Sequence, residues 1–167
     1  DYFINNAAAA PAAFPALLNN FEFTEKVFKT NVIGQIFLIN EISKIMLKNK
    51  FGRIINISSM SVALNLEGTS LYSSSKAAVE KYLKILSKEI SYKNNNNITL
   101  NTLRISMYNS KSFRELGKKT ISKAKQNLAY KKVLNIYDIL NVINPLLKEK
   151  NYTLSGQTLN LGLVNGD

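Results

Sequence analysis

Four short apolar runs alternate with longer stretches of helical periodicity, and that alternation leaves the chain few ways to fold. The runs are Asp1-Tyr-Phe-Ile4, Arg53-Ile-Ile-Asn-Ile57, Ile98 to Ile105, and a segment within Leu154 to Leu163. Short apolar, β-branched runs bounded by Asn, Gly or Ser read as buried strands. Over Glu22 to Lys48, Val27, Phe28, Ile33, Phe37, Leu38, Ile42, Ile45 and Met46 recur at helical spacing. Val79, Tyr82, Leu83, Leu86 and Ile90 do the same over Leu71 to Tyr92. A third helix is predicted over Tyr137 to Lys150, kinked or ended early by Pro145. Gly52 breaks the chain before the second strand. Ala7 to Asn20, Ser58 to Ser70 and Asn94 to Asn97 read as loops or turns, and Ser106 to Val133 as a basic loop with a short helix. Strands alternating with helices predict parallel βαβ units and an α/β fold. No internal repeat or boundary divides residues 1–167, which are expected to form one domain.

In such sheets ligands bind beyond the carboxyl ends of the strands. Here those ends carry Asn5-Asn6, Ser58-Ser59 and Ile105-Ser106. Tyr72 and Lys76 open the helix that follows the second strand, so they fall on the same rim. Their spacing puts a phenol and an ammonium on one helical face. A nearby cation favours the phenolate and lowers the phenol pKa from its ordinary value of about 10. Such a pair can exchange a proton near neutral pH. An isolated YxxxK match reads first as a half-buried Tyr beside a solvated Lys, and it is the position on the rim that favours the chemical reading. With no His and no Cys in the chain, a Ser-His-Asp triad, a thiolate nucleophile and His- or Cys-ligated metal sites are excluded. Acid–base chemistry is left to Tyr, Lys, Asp and Glu.

The formal net charge is +11, with 22 Lys and Arg against 11 Asp and Glu. The basic residues are mostly Lys, scattered along helices and concentrated between Lys111 and Lys132. Without an Arg-rich tract or aromatic–basic alternation they read as solvated faces, and nucleic acid is not expected as a partner. A bias toward phosphate-bearing ligands is the weaker alternative. The longest apolar stretch, Ala7 to Leu18, is interrupted by Pro11 and Pro15 and falls short of the roughly twenty residues of a membrane span. A soluble, cytoplasmic protein is expected. The first residue is Asp1 rather than Met, which implies a processed start or a piece of a longer chain.

These residues resemble the short-chain dehydrogenase/reductase family along the chain. Asp1-Tyr-Phe-Ile-Asn-Asn-Ala-Ala8 is similar to the family's Asn-Asn-Ala-Gly strand end. Asn31 in Thr30-Asn-Val-Ile-Gly34 matches the Asn of the following helix. Gly52-Arg-Ile-Ile-Asn-Ile-Ser-Ser59 resembles the strand that delivers a catalytic Ser, and Tyr72 follows Ser59 by thirteen residues, the family spacing. Asn101 and Ser155-Gly-Gln157 match later strand positions. The resemblance implies a Rossmann-like doubly wound parallel sheet in three αβα layers, begun near the family's fourth strand and lacking the first βαβ units. It implies an NAD or NADP cofactor, a small carbonyl or alcohol substrate, and a homodimer or homotetramer packed through parts of Glu22–Lys48 and Leu71–Tyr92. It gives Tyr72 the acid–base role, Lys76 the tuning of Tyr72 and a hold on the cofactor ribose, Ser59 the reacting oxygen, and Asn31 a water in a proton relay. Asn5 and Ala7 would line the cofactor through their backbone, with Ile105 beside the nicotinamide and Ser110 at its amide. Ser58 is the alternative hydroxyl to Ser59, which the spacing favours. For Asn5, hydrogen bonding between neighbouring strands is an equal alternative.

Several positions depart from the family pattern. No three of the seven Gly form a phosphate-cradling cluster of the GxGxxG or GxxxGxG kind. Ala8 replaces a Gly, which at positive φ costs on the order of 1 kcal/mol. Ile105-Ser106 replaces Pro-Gly, and Leu163-Val164 falls where the family often has Gly-Gly. The leading expectation is therefore an NAD(P)-dependent oxidoreductase interconverting a carbonyl and a secondary alcohol, with these 167 residues alone inactive. A non-catalytic relative that binds or scaffolds is the alternative, and a basic nucleic-acid-binding protein ranks third.

Overall fold

Neighbouring residues Ile54 and Ile55 are both fully buried, yet they belong to two different cores. Alternation along a strand sends successive side chains to opposite faces, so this pair marks a central strand covered on both sides. The computed structural model describes residues 1–9, 14–91, 96–109, 113, 122, 125, 126, 128 and 132–162. Among them the strands are β1 (Tyr2–Asn5), β2 (Phe51–Ser59), β3 (Asn97–Ile105) and β4 (Thr158–Leu161). They lie in the order β1-β2-β3-β4, and every pairing is parallel. The helices are α1 (Phe21–Phe28), α2 (Gly34–Asn49), α3 (Ser61–Leu64), α4 (Ser70–Ser91) and α5 (Ile136–Leu147). A short 3-10 turn spans Ala16–Leu18. The expected αβα layering is present: α2 and α4 bury Ile39, Met46, Val79 and Leu83 against Ile54 and Leu100. On the other face α5 buries Ile139, Ile143 and Leu146 against Ile55 and Leu103.

Four boundaries differ from expectation for physical reasons. The predicted helix Glu22–Lys48 is two α-helices joined by a π-helical turn, Lys29–Ile33, centred on Asn31. Gly34 suits this turn, because a Cβ there would lie 3.3 Å from the Lys29 carbonyl oxygen. Gly52 does not break the chain but lies inside β2. A Cβ at that position would fall 2.2 Å from Met46 Sδ, so glycine is what lets α2 pack this closely on the sheet. The loop predicted over Ser58–Ser70 yields Ser58 and Ser59 to β2 and contains α3. Pro145 is tolerated in the last turn of α5, which ends at Leu147, short of the predicted Lys150.

The amino-terminal end of the sheet is locked by Arg53, whose side chain is completely buried. Its guanidinium donates to the carbonyls of Gly52 (2.8 Å), Asn97 (2.6 Å), Lys148 and Glu149 (2.8 Å) and to Asn97 Oδ1 (2.7 Å). Lys148 and Glu149 follow α5, whose final carbonyls have no partner within the helix. A cation is favoured at that end of the helix dipole. The opposite start of α5 is held by a capping box of Asn135 and Asp138. No helix among the described residues is long and apolar enough to cross a membrane.

Candidate active site

At the carboxyl ends of β1, β2 and β3 lies a cavity of about 510 Å³. Ile4, Asn6, Ile57, Ser59, Tyr72 and Ile105 form part of its wall, and Tyr108 and the first turns of α5 complete it. A smaller cavity of about 190 Å³ adjoins it, lined by Met60, Leu64, Leu66, Met107 and Leu128. Ser59, Ile105 and Ser106 border both. The larger space is of the size that accepts a small-molecule ligand. Its apolar walls with a few hydroxyls resemble such sites in composition as well.

Ser59 ends β2, where the strand delivers it to the rim. Its Oγ accepts from the backbone N–H of Ser61 at 3.2 Å and lies 2.9 Å from the Ser61 hydroxyl. The phenol of half-buried Tyr72 and the Ser59 side chain share the wall of the cavity. Burial raises the Tyr72 pKa, and the Ser59 side chain opposes that rise. The expected lowering by Lys76 is thus overturned in this arrangement. Burial of the phenol is the leading cause, and Lys76 Nζ donates to the Ile57 carbonyl at 3.0 Å. Lys76 is buried, and desolvation draws its own pKa down while the Glu80 carboxylate pushes it up.

Ser58 and Ser59 are separated by their partners. The Ser58 hydroxyl donates to Glu80 Oε1 at 2.5 Å, and Ser58 also lines the cavity. Glu80 is buried and also forms an ion pair with Arg104 of β3, with contacts of 3.0, 3.1 and 2.7 Å. Arg104 is the register partner of Ser58. Neither Glu80 nor Arg104 was singled out by sequence. The available signal was the i, i+4 placement of Glu80 after Lys76 on the helix face that carries Tyr72.

Asn31 is fully buried, and its amide makes three contacts. Oδ1 accepts from Ala9 N at 2.7 Å, while Nδ2 donates to Ala9 O at 2.8 Å and to Ser75 Oγ at 3.0 Å. The side chain therefore clasps the segment after β1 and braces α4. Gln35, one turn on, donates to the Ala7 carbonyl. Asn5 Nδ2 is shared between Gln35 Oε1 (2.9 Å) and Asn56 Oδ1 (2.8 Å), which is the strand-to-strand role held open for it. Together Asn31 and Gln35 hold the backbone of Ala7 to Ala9 at the rim. Ala8 avoids positive φ, so no strain arises from its replacing Gly. Asn101 donates to Leu154 O and accepts from Gln157 N, securing the entry to β4. At Gly156, φ is +71° and a Cβ would fall 2.6 Å from Ser87 Oγ, so that entry requires glycine. Ser110 lies outside the described residues.

The sequence profile described as short chain dehydrogenase matches residues 1–120. The chain belongs to the short-chain dehydrogenase family. Among solved structures, ElxO with NADP bound superposes on this short-chain dehydrogenase chain with a TM-score of 0.87 at 22% identity. The match covers 96% of this chain and 65% of ElxO. An actinorhodin polyketide ketoreductase with NADPH gives 0.86 at 21% identity, covering 96% and 65%. NAD+-bound xylitol dehydrogenase gives 0.85 at 18% identity, covering 97% and 67%. This short-chain dehydrogenase chain thus spans 65% of the length of the first two. At these identities the likeness is one of fold. No curated protein matches the sequence.

Proposed function

We propose that this chain is the catalytic portion of an NAD(P)-dependent oxidoreductase that interconverts a carbonyl and a secondary alcohol. The observation that carries the reading is that Tyr72 and Ser59 meet in the wall of the rim cavity, with Lys76 buried one helical turn below. The two family neighbours with NADP and NADPH and the third with NAD+ support the cofactor class. The residues present fit the nicotinamide end of such a cofactor: the cavity walls at Ile4, Ile57 and Ile105 are apolar, and Asn31 and Gln35 fix the Ala7–Ala9 backbone along its edge. When bound, the nicotinamide supplies or accepts a hydride. The chain's own residues move the proton and orient the substrate.

In this reading Tyr72 donates its hydroxyl proton to the carbonyl oxygen and recovers it for the next turnover. Its raised pKa suits the donor half of that role. Ser59 hydrogen-bonds the same oxygen and stabilises the charge that develops there. Lys76 provides a buried positive charge near Tyr72 and a donor for the cofactor ribose. Asn31 positions the edge of the site and, with Lys76, carries the proposed water relay. Ser110 is proposed at the nicotinamide amide by family resemblance alone.

Replacing Tyr72 by Phe in the protein that includes its upstream residues should abolish turnover while leaving cofactor affinity within about twofold. Retained turnover would remove Tyr72 from the mechanism. The 167 residues alone contain no glycine-rich phosphate cradle and are proposed to be inactive and to bind NADH or NADPH weakly. Micromolar affinity in a calorimetric titration would contradict that. The second reading, a non-catalytic binding or scaffolding relative, draws on the structural commitments of Asn5 and Asn31. It requires that neither Tyr72→Phe nor Ser59→Ala alter any rate. The exposed apolar side chains Ile33, Phe37, Ile45 and Ile85 on and beside α2 and α4 favour a homodimer or homotetramer through that face. Light scattering of a Phe37→Glu variant tests it.

A further inference from the structure

One carboxylate joins the three elements that build the rim. Glu80 receives the Ser58 hydroxyl from β2, at 2.5 Å, and the Arg104 guanidinium from β3, at 2.7 to 3.1 Å. Glu80 itself belongs to α4, four residues beyond Lys76 and eight beyond Tyr72, which places all three along one face of the helix. The residues adjoining its two partners are Ser59 and Ile105, which border both cavities. Glu80 therefore lies beneath the site without lining it. Its hold on Ser58, which lines the larger cavity, makes it a support for the groups that do.

We propose that Glu80 is a positioning residue of this site, one that registers α4 against the ends of β2 and β3 and sets the charge environment of Lys76 one helical turn before it. The proposal rests on the acid–base reading of Tyr72 and Lys76. Among the described residues, the charged or titratable groups meeting here are Tyr72, Lys76 and Glu80 from α4 and Arg104 from β3. From β2 come only the Ser58 hydroxyl and the Ile57 carbonyl, both neutral. Burial alone would drive Lys76 toward its neutral form, and Glu80 counteracts this. In this proposal the Arg104 guanidinium, held on Glu80, acts on Lys76 in the opposite sense once Glu80 is neutral.

That arrangement makes opposite predictions for the two halves of one ion pair. In the whole protein labelled with carbon-13 at lysine Cε, the Lys76 resonance, assigned through Lys76→Met, reports its titration directly. Glu80→Gln leaves a neutral hydrogen-bonding partner for Ser58 and exposes Lys76 to Arg104, so the Lys76 midpoint should fall by about one unit or more. Arg104→Met leaves Glu80 without its cationic partner but still holding Ser58, so the midpoint should rise. The double variant should return toward the parent value. A merely structural carboxylate would destabilise the fold in both single variants without these opposed shifts. Midpoints that stay put, or that move in the same direction in both, overturn the proposal. Should Glu80→Gln fail to fold, the sign of the Arg104→Met shift still decides. The outcome is separable from the functional reading: loss of the Lys76 shifts with Tyr72 still essential removes only Glu80, whereas turnover without the Tyr72 hydroxyl removes the acid–base reading and leaves the shifts standing.

Discussion

Arg53 and Arg104 stand at opposite ends of the adjoining strands β2 and β3, and each gathers a cluster of polar groups. Arg53 is completely buried, and its partners are backbone carbonyls and one side-chain amide. Arg104 is partly exposed and meets a carboxylate that also serves a serine and faces a lysine. The difference lies in what each cluster can do after the chain has folded. Carbonyls do not titrate near neutral pH, so the Arg53 cluster is a fixed joint between the sheet and the end of α5. Burial draws the Arg53 pKa down, with Tyr2 and Glu149 opposing. The Arg104 cluster contains groups whose charges depend on one another, and it supports the rim where Ser59 and Tyr72 meet. Fixed polar satisfaction at one end and coupled charge at the other divide structure from chemistry along the same strands.

The sharpest way to break this comparison is Arg53→Leu. It removes the buried guanidinium that donates to the carbonyls of Asn97, Lys148 and Glu149, leaving only Asn97 Nδ2 on the last of them, and should lower stability by about 3 kcal/mol or more in urea unfolding. A loss under about 1 kcal/mol would show the joint to be replaceable by water. Next comes Asn31→Ala, which removes three hydrogen bonds, one of them buried, and the support of the π turn. We expect a loss of about 2 kcal/mol, with hydrogen exchange at the Ala9 amide accelerated most. Uniform exchange across the chain would mean the clasp is not local. Arg104→Met should cost less, about 1 kcal/mol, because its partner Glu80 keeps Ser58 and faces Lys76. A loss equal to that of Arg53→Leu would erase the distinction between the two ends.

The smallest effect concerns pH. The Lys76 pKa is lowered in the folded state. Its contribution to stability is therefore present above the unfolded value of about 10.4 and is lost as pH falls through the folded value. Tyr72, with a raised pKa, works the other way: its contribution is present below about 10 and declines as pH climbs through its folded value. Lys76→Met should abolish the rise in stability between the folded Lys76 pKa and about 10 while leaving neutral-pH stability equal or slightly higher. Unfolding curves across that window decide it, and an unchanged slope in the variant would place the titrating group elsewhere.

Much of this was legible in the residues themselves. Ile54-Ile55 and Leu100 to Leu103 announced buried strands through composition, and the apolar positions of α4 gave its face. Ser59, Tyr72 and Lys76 were placed on one rim by strand ends and helical spacing alone. The π turn was not legible, because Asn31 stabilises it through Ala9 and Ser75, which are 22 and 44 residues away. Gly52 read as a break because its role is to admit Met46, a neighbour in space from another element. The tuning of Tyr72 was misjudged for the same kind of reason. Four residues of helix put Lys76 on the right face, but only the fold turned its ammonium to the Ile57 carbonyl.

By itself the sequence determined the alternation of strand and helix, the apolar faces, and which hydroxyl and amine residues would reach the carboxyl edge of the sheet. Those are consequences of local periodicity, which needs no partner from elsewhere. The tertiary structure decided which charges meet. Parallel register set Arg104 beside Ser58, helix packing brought Glu80 between them, and the sheet carried Arg53 to carbonyls 95 and 96 residues away. Electrostatic interaction falls with distance and depends on burial, so the charge state and orientation of Lys76 and Tyr72 became definite only when those contacts closed.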